Sequence, residues 1–209
     1  MMGIRKMTLV FCAVIAGLAA PVAYAARYSV PRGVPELIES GKITEARERV
    51  QEFRRKEPDN PLAIFYLARI EEDRNLARAL YKEVERFADS DLASQASLAR
   101  AEMFIEEGDY QAAAPLLEAI ISSHPDGAAY ADALYRLGMI RLKEDKTDEA
   151  LVLFQKSRAA QSGEFKKTLA GAGIMECRVA RKEWNQAVDA AREVLEGDDD
   201  AGALTPRVL

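Results

Sequence analysis

The sequence predicts an all-α chain, a solenoid of about five stacked helical hairpins, from three observations. An alanine recurs at Ala77, Ala113, Ala150 and Ala187, in steps of 36, 37 and 37 residues. Each follows a polar turn (Asp73-Arg74-Asn75, Gly108-Asp109-Tyr110, Asp145-Lys146-Thr147 or Lys182-Glu183-Trp184) and precedes an apolar helical stretch. The periodic stretches are rich in alanine and leucine and poor in glycine, which favours helix throughout and predicts no sheet. A fixed period of this length marks a repeat, because one helix pair cannot bury its own apolar face and must stack on a neighbour.

Residues 1–25 are a different object. A basic start at Arg5 and Lys6, an apolar run from Leu9 to Ala20, a break at Pro21 and the small-residue frame of Ala23-Tyr24-Ala25 read as a secretory signal peptide cut after Ala25. The run is shorter than the ~20 apolar residues a membrane span needs, which weighs against a retained anchor helix. Cys12 is excluded as a lipid-attachment site, because Phe11 occupies the place of a small residue and the apolar run continues past it. Removal of Arg5 and Lys6 leaves 27 of the 29 basic residues against 34 acidic ones, a net charge of −7 and a periplasmic product. Nucleic acid, which would want a basic footprint, is excluded as a partner.

From the N-terminal end of the repeat region, 26–197, Gly41, Ile43, Ala46, Val50, Phe53 and Pro58 outline a truncated first hairpin, as an end cap would be. Leu67, Ala68, Ala77, Tyr81 and Val84 outline the second, and the step of only 31 from Ala46 to Ala77 predicts a shortened first helix or turn. The third holds Ala101 and Phe104, the Gly108 turn, then Ala113, Leu117 and Ile120, and stops at Pro125. In the fourth, Leu134, Leu137 and Ile140 share a stripe, Gly138 admits the facing helix, and Ala150 and Phe154 lie four apart on that helix. Ile174, Val179, Trp184, Ala187, Ala191 and Val194 fill matching places in the fifth, but Met175 stands where a small residue is expected, predicting a looser hairpin. Glu196-Gly197-Asp198-Asp199-Asp200 reads as an exposed acidic turn opening a final segment, 198–209, that is either a cap or the start of a helix in a longer protein.

The chain offers little for chemistry, so no enzyme, cofactor or metal is expected. His124 is the only histidine, stands beside Pro125 at a helix end, and is expected to meet helix-terminal carbonyls. Cys177 is the only cysteine after residue 25, so an internal disulfide is impossible in the processed chain and a buried small hydrophobe is the expected role. The acidic pairs Glu71-Glu72 and Glu106-Glu107 point apart on a helix; Asp198-Asp199-Asp200 reads as solvated charge. Gly171-Ala172-Gly173 lacks the preceding strand of a dinucleotide fingerprint and predicts a close helix crossing.

Leu137-Gly138, Ala150 and Phe154, together with Tyr110, Ala113 and Pro125, resemble the tetratricopeptide repeat over most of 34–197. The stretch from Ser122-Ser123-His124-Pro125 to Leu137-Gly138 is similar to junctions in periplasmic repeat proteins of the bacterial envelope, the Tol-Pal-associated cell-division coordinator and the outer-membrane assembly lipoprotein. The chain lacks the coiled-coil start of the first and the anchor-cysteine motif of the second.

The resemblance implies a binding groove lined by the first helix of each pair: Gln95, Leu98, Glu102 and Ile105, then Asp132, Tyr135, Met139 and Leu142, then Ala172, Glu176 and Val179. Tyr135, Met139 and Leu142 have a second reading as core between repeats. The mixed character of the set fits a protein or peptide partner. An exported, non-enzymatic scaffold for envelope assembly or division is therefore expected; the alternative is the N-terminal interaction module of a longer envelope protein with a further domain, such as a peptidoglycan-binding one, after Leu209.

Overall fold

The computed structural model describes residues 33–86 and 90–201, so the expected leader and the segment after Ala201 lie outside the described residues. Among them are ten helices and no strand: α1 Val34–Glu39, α2 Ile43–Lys56, α3 Pro61–Arg69, α4 Arg74–Val84, α5 Ser90–Glu107, α6 Tyr110–Ser123, α7 Tyr130–Lys143, α8 Thr147–Ala160, α9 Glu164–Ala180 and α10 Trp184–Ala201. They fall into two compact units, 1–80 and 81–209, with the boundary inside α4.

In the first unit α1 packs on α2 and α2 on α3. Ala46 and Val50 present one buried stripe of α2, and Val34 is buried on α1. Proline at the first position of α3 costs no hydrogen bond there. The Asn60 side chain accepts from the amides of Leu62 (3.0 Å) and Ala63 (3.3 Å), capping the helix. Every residue of α3 from Pro61 to Ala68 is buried, as a helix apolar on all sides requires. Arg47 reaches from α2 to the carbonyl of Ile70 (2.6 Å) and the carboxylate of Glu71 (3.0 Å). The short step from Ala46 to Ala77 has its cause in α3, nine residues long against 14 to 18 in the later first helices.

The second unit holds three hairpins, α5–α6, α7–α8 and α9–α10, each second helix packing on the next first helix. Ala113, Ala150 and Ala187 are each the fourth residue of a second helix and are buried, as is Ala77 at the fourth place of α4. The repeated alanine is thus a small buried residue at one fixed place in each of these helices, where its size lets a neighbouring helix come close.

The hairpin turns repeat as faithfully. Gly108, Asp145 and Lys182 have φ of 78°, 60° and 59°. The residue after each donates back to the first helix, Asp109 to Phe104 (2.9 Å), Lys146 to Arg141 (2.9 Å) and Glu183 to Arg178 (2.9 Å). This is the Schellman closure, which needs a left-handed residue and prefers glycine there. Gly41 (φ 74°) makes the same turn between α1 and α2, with Lys42 donating to Leu37 (2.8 Å).

Phe154 of α8 organises the centre of this unit. It is fully buried with Ala150, Leu151, Ile174, Cys177 and Ala190. A β-carbon on Gly138 of α7 would lie 2.9 Å from its ring, and one on Gly173 of α9 would lie 2.7 Å away. The ring thus fills a space that two helices leave by having no side chain.

Two expectations are corrected. The last hairpin is not looser: α9 and α10 pack as extensively as α7 and α8, because Gly171 brings Val194 within 3.0 Å of its β position while Met175 joins the core edge. The acidic run makes no turn before Ala201, since α10 continues through Gly197 and the three aspartates. One glycine inside a helix costs about 1 kcal/mol relative to alanine, too little to end it without a proline or a left-handed cap.

A candidate partner-binding face on the first helices

Two charged pairs join the first helices of the second unit. Arg136 on α7 donates to Glu102 on α5 from Nε (3.1 Å) and Nη2 (2.9 Å). Lys166 on α9 donates to Asp132 on α7 (2.7 Å), and Gln161 donates to the other oxygen of that carboxylate (3.0 Å). Each charged pair spans 34 positions, so the same kind of tie recurs between successive first helices. Burial holds the Glu102 carboxyl above its ordinary range even though Arg136 pulls it down. Arg136 also lies 5.7 Å from the centre of the Tyr135 ring, within cation–π reach.

The predicted groove residues divide by depth. Gln95 and Leu98 are corrected: they are 1% and 3% exposed, with Leu98 in the core that α5 and α6 share with α7. The stripe reading found the right face of α5 but not how deeply its first turns lie. Ile105 is half-buried against that same core, and Glu102 is half-buried under Arg136. Tyr135, Met139 and Leu142 are half-buried against the Phe154 cluster, with the Tyr135 and Phe154 rings 5.7 Å apart. Their second reading, core between repeats, describes this packing. Asp132 is half-buried in its pair with Lys166. Ala172 is half-buried, and Glu176 and Val179 are exposed.

On α9 the exposed residues extend beyond those predicted. Phe165 and Leu169, both exposed, continue the stripe of Ala172, Glu176 and Val179 toward the helix start at spacings of four, three, four and three. These five residues occupy one face of one helix. Their signal was available in the sequence as a helical stripe about two turns longer than the set chosen. Arg141 was also missed; it joins Glu118 of α6, Glu144 (2.9 Å) and Glu149 of α8 (3.2 Å), stapling three helices where α7 ends.

Cys177 is buried, and burial pushes its thiol up to about 11, away from nucleophilic use. The backbone amide of His124 donates to Ile120 (3.0 Å) and so closes α6. Among the described residues no group of three or more histidine, cysteine, aspartate or glutamate side chains is placed to hold a metal ion. No described helix is long and apolar enough to cross a membrane.

A family model described as a tetratricopeptide repeat-like domain matches residues 63–199, and a second, a tetratricopeptide repeat, matches 33–91. Neither describes a catalytic family. No curated protein matches the chain. Among solved structures it is similar to MamA 41-end from Desulfovibrio magneticus RS-1 (18% identity over 80% of this chain and 92% of that one, TM-score 0.63). It is also similar to BtubC from P. vanneervenii (17%, 82% and 76%, TM-score 0.60) and to YrrB, a TPR protein with an unusual peptide-binding site (13%, 80% and 84%, TM-score 0.57). At these identities the likeness is one of fold.

Proposed function

This chain belongs to the tetratricopeptide-repeat family, and we propose that it works as an exported, non-enzymatic scaffold that holds a protein or peptide during assembly or division of the bacterial envelope. The observation that carries the binding half is the α9 stripe, where Phe165, Leu169 and Val179 are exposed on one face with Glu176 between them. An apolar stripe with one acid suits an amphipathic segment bearing a lysine or arginine. It does not suit a phosphate or a terminal carboxylate, which would call for clustered bases, and Arg136 and Lys166 are already paired with Glu102 and Asp132. The family's habit of binding proteins supports the same choice, as does the peptide-binding site named for YrrB.

Export rests on the leader pattern of residues 1–25. Amino-terminal sequencing of the chain recovered from a bacterial periplasm should begin at Ala26; an intact amino terminus in the cytosol would remove the envelope from the reading. For binding, envelope proteins retained on the immobilised chain and identified by mass spectrometry should be lost with Phe165→Asp and Val179→Asp, whose helicity stays that of the parent. Undiminished capture by both variants would sink the α9 face.

A further inference from the structure

Helix α10 has two apolar faces. One, with Ala187 and Ala190 buried and Val194 against Gly171, packs on α9. The other consists of Trp184, Val188, Ala191 and Leu195, of which Trp184, Val188 and Leu195 are 60%, 58% and 67% exposed. A helix does not ordinarily offer water three large apolar residues in line. One repeat earlier, the counterpart of Val188 is Leu151, 37 positions before it, which is 5% exposed in the cluster that α9 covers. The exposed face therefore continues an interface the fold makes internally.

The spacing of four, three and four is that of a coiled-coil seam, with Trp184 and Ala191 in one kind of position and Val188 and Leu195 in the other. An antiparallel pair of such helices sets each kind against the other. A two-fold axis between Asp189 and Ala190 brings Trp184 opposite the partner subunit's Leu195, and Val188 opposite the partner subunit's Ala191, large beside small at the centre. Charge selects the direction. Lys182, exposed, stands just before the helix, and the sequence of the helix ends in the acidic run from Glu196 to Asp200, whereas Arg181 is held within the chain by Asp148 and Glu183. Antiparallel pairing puts base beside acid at both ends, whereas parallel pairing stacks like on like.

We propose that this face is a self-association site at which a second copy of the chain pairs through α10, antiparallel and two-fold. Four side chains of one helix make a small seam, so the dimer is weak, with a dissociation constant on the order of micromolar. The inference is independent of the partner face on α9.

Sedimentation velocity of the full chain from 1 to 300 μM, on the order of this affinity, should show reversible dimerisation. Trp184→Glu and Val188→Glu should each weaken it at least tenfold, and Leu76→Glu, at an exposed apolar residue of α4, should leave it unchanged. A chain that stays monomeric throughout, or dimers indifferent to Trp184→Glu and Val188→Glu, would overturn the proposal. Direction is read by mixing Val188→Cys and Ala191→Cys chains, both with Cys12→Ser, while the native Cys177 is buried. Mixed disulfides should exceed like-with-like ones several-fold; a majority of Val188→Cys homodimers would overturn the antiparallel register.

Discussion

Gly173→Ala tests the packing of Phe154 at single-methyl resolution. The added β-carbon would lie 2.7 to 2.8 Å from three ring carbons. Carbon atoms in good contact sit about 3.5–4.0 Å apart, so the encroachment is about 0.7 Å or more on a ring with no exposed surface. Overpacking of this kind costs about 1–3 kcal/mol, and the gain from replacing a helical glycine by alanine returns about 1 kcal/mol. The net expectation is a destabilisation of about 1 kcal/mol in urea unfolding followed by circular dichroism. In a Phe154→Val background, whose side chain ends at its γ carbons, the clash disappears and only the helix gain remains. There the same substitution should stabilise, by about 1 kcal/mol. The change of sign is the diagnostic, because it isolates the contact from propensity. If Gly173→Ala has one and the same effect in both backgrounds, the ring does not occupy the space between α7 and α9.

At the hairpin turns, Asp145→Gly and Lys182→Gly should each stabilise the chain by about 1 kcal/mol, since an L-residue in the left-handed region costs about 1–2 kcal/mol that glycine avoids. Gly108→Ala should do the reverse, and thermal melts of the three variants compare them directly. Glu102 titrates above its ordinary range in the folded chain, so the native state holds its proton more tightly than the unfolded one. Stability from this group is present at acid pH and lost as pH rises from the ordinary carboxylate range through the raised one. Parent stability should therefore fall relative to Glu102→Gln across that interval, and a constant difference between the two would argue against a buried carboxylate. With its thiol near 11 and buried, Cys177 should resist maleimide at pH 8, where roughly one thiol in a thousand is ionised, and react at once in denaturant. Fast labelling of the native Cys12→Ser chain would place Cys177 at the surface.

The period was legible because a buried small residue recurs at one fixed place in each of α4, α6, α8 and α10. Ala77, Ala113, Ala150 and Ala187 are buried at the same place in four helices, and any larger side chain there would hold the pair apart. The short α3 was legible for the same reason, as a missing stretch between Ala46 and Ala77. What the sequence left undetermined was which neighbour covers a given stripe. Gln95 and Glu102 lie seven apart on one face of α5, yet the first is sealed and the second only half so. The last hairpin was misjudged because Met175 was compared with Gly138 in register, while the close approach of α9 to α10 is made four residues earlier, by Gly171. The charged ties Glu102–Arg136 and Asp132–Lys166 escaped notice since 34 positions separate their members, and only stacking brings them together.

Comparison of equivalent places in α7 and α9 decides where a partner has access. Asp132, Tyr135, Met139 and Leu142 correspond, 37 positions on, to Leu169, Ala172, Glu176 and Val179. The three uncharged members of the first set pack into the cluster around Phe154, Ile174 and Cys177, and Asp132 is held by Lys166 of α9. The next helix has thus already consumed that face, and the burial that results is what makes Tyr135 and Met139 structural. Leu169, Glu176 and Val179 in α9 remain exposed. A repeat can use one set of positions for internal packing and, a repeat later, for recognition, because the same stripe that receives a neighbour can receive a partner helix. Tyr135→Ala should accordingly lower stability more than capture, and Val179→Asp should lower capture more than stability. Denaturant unfolding run beside quantitative capture separates the two, and equal losses in both variants would show that packing and recognition are not divided between α7 and α9.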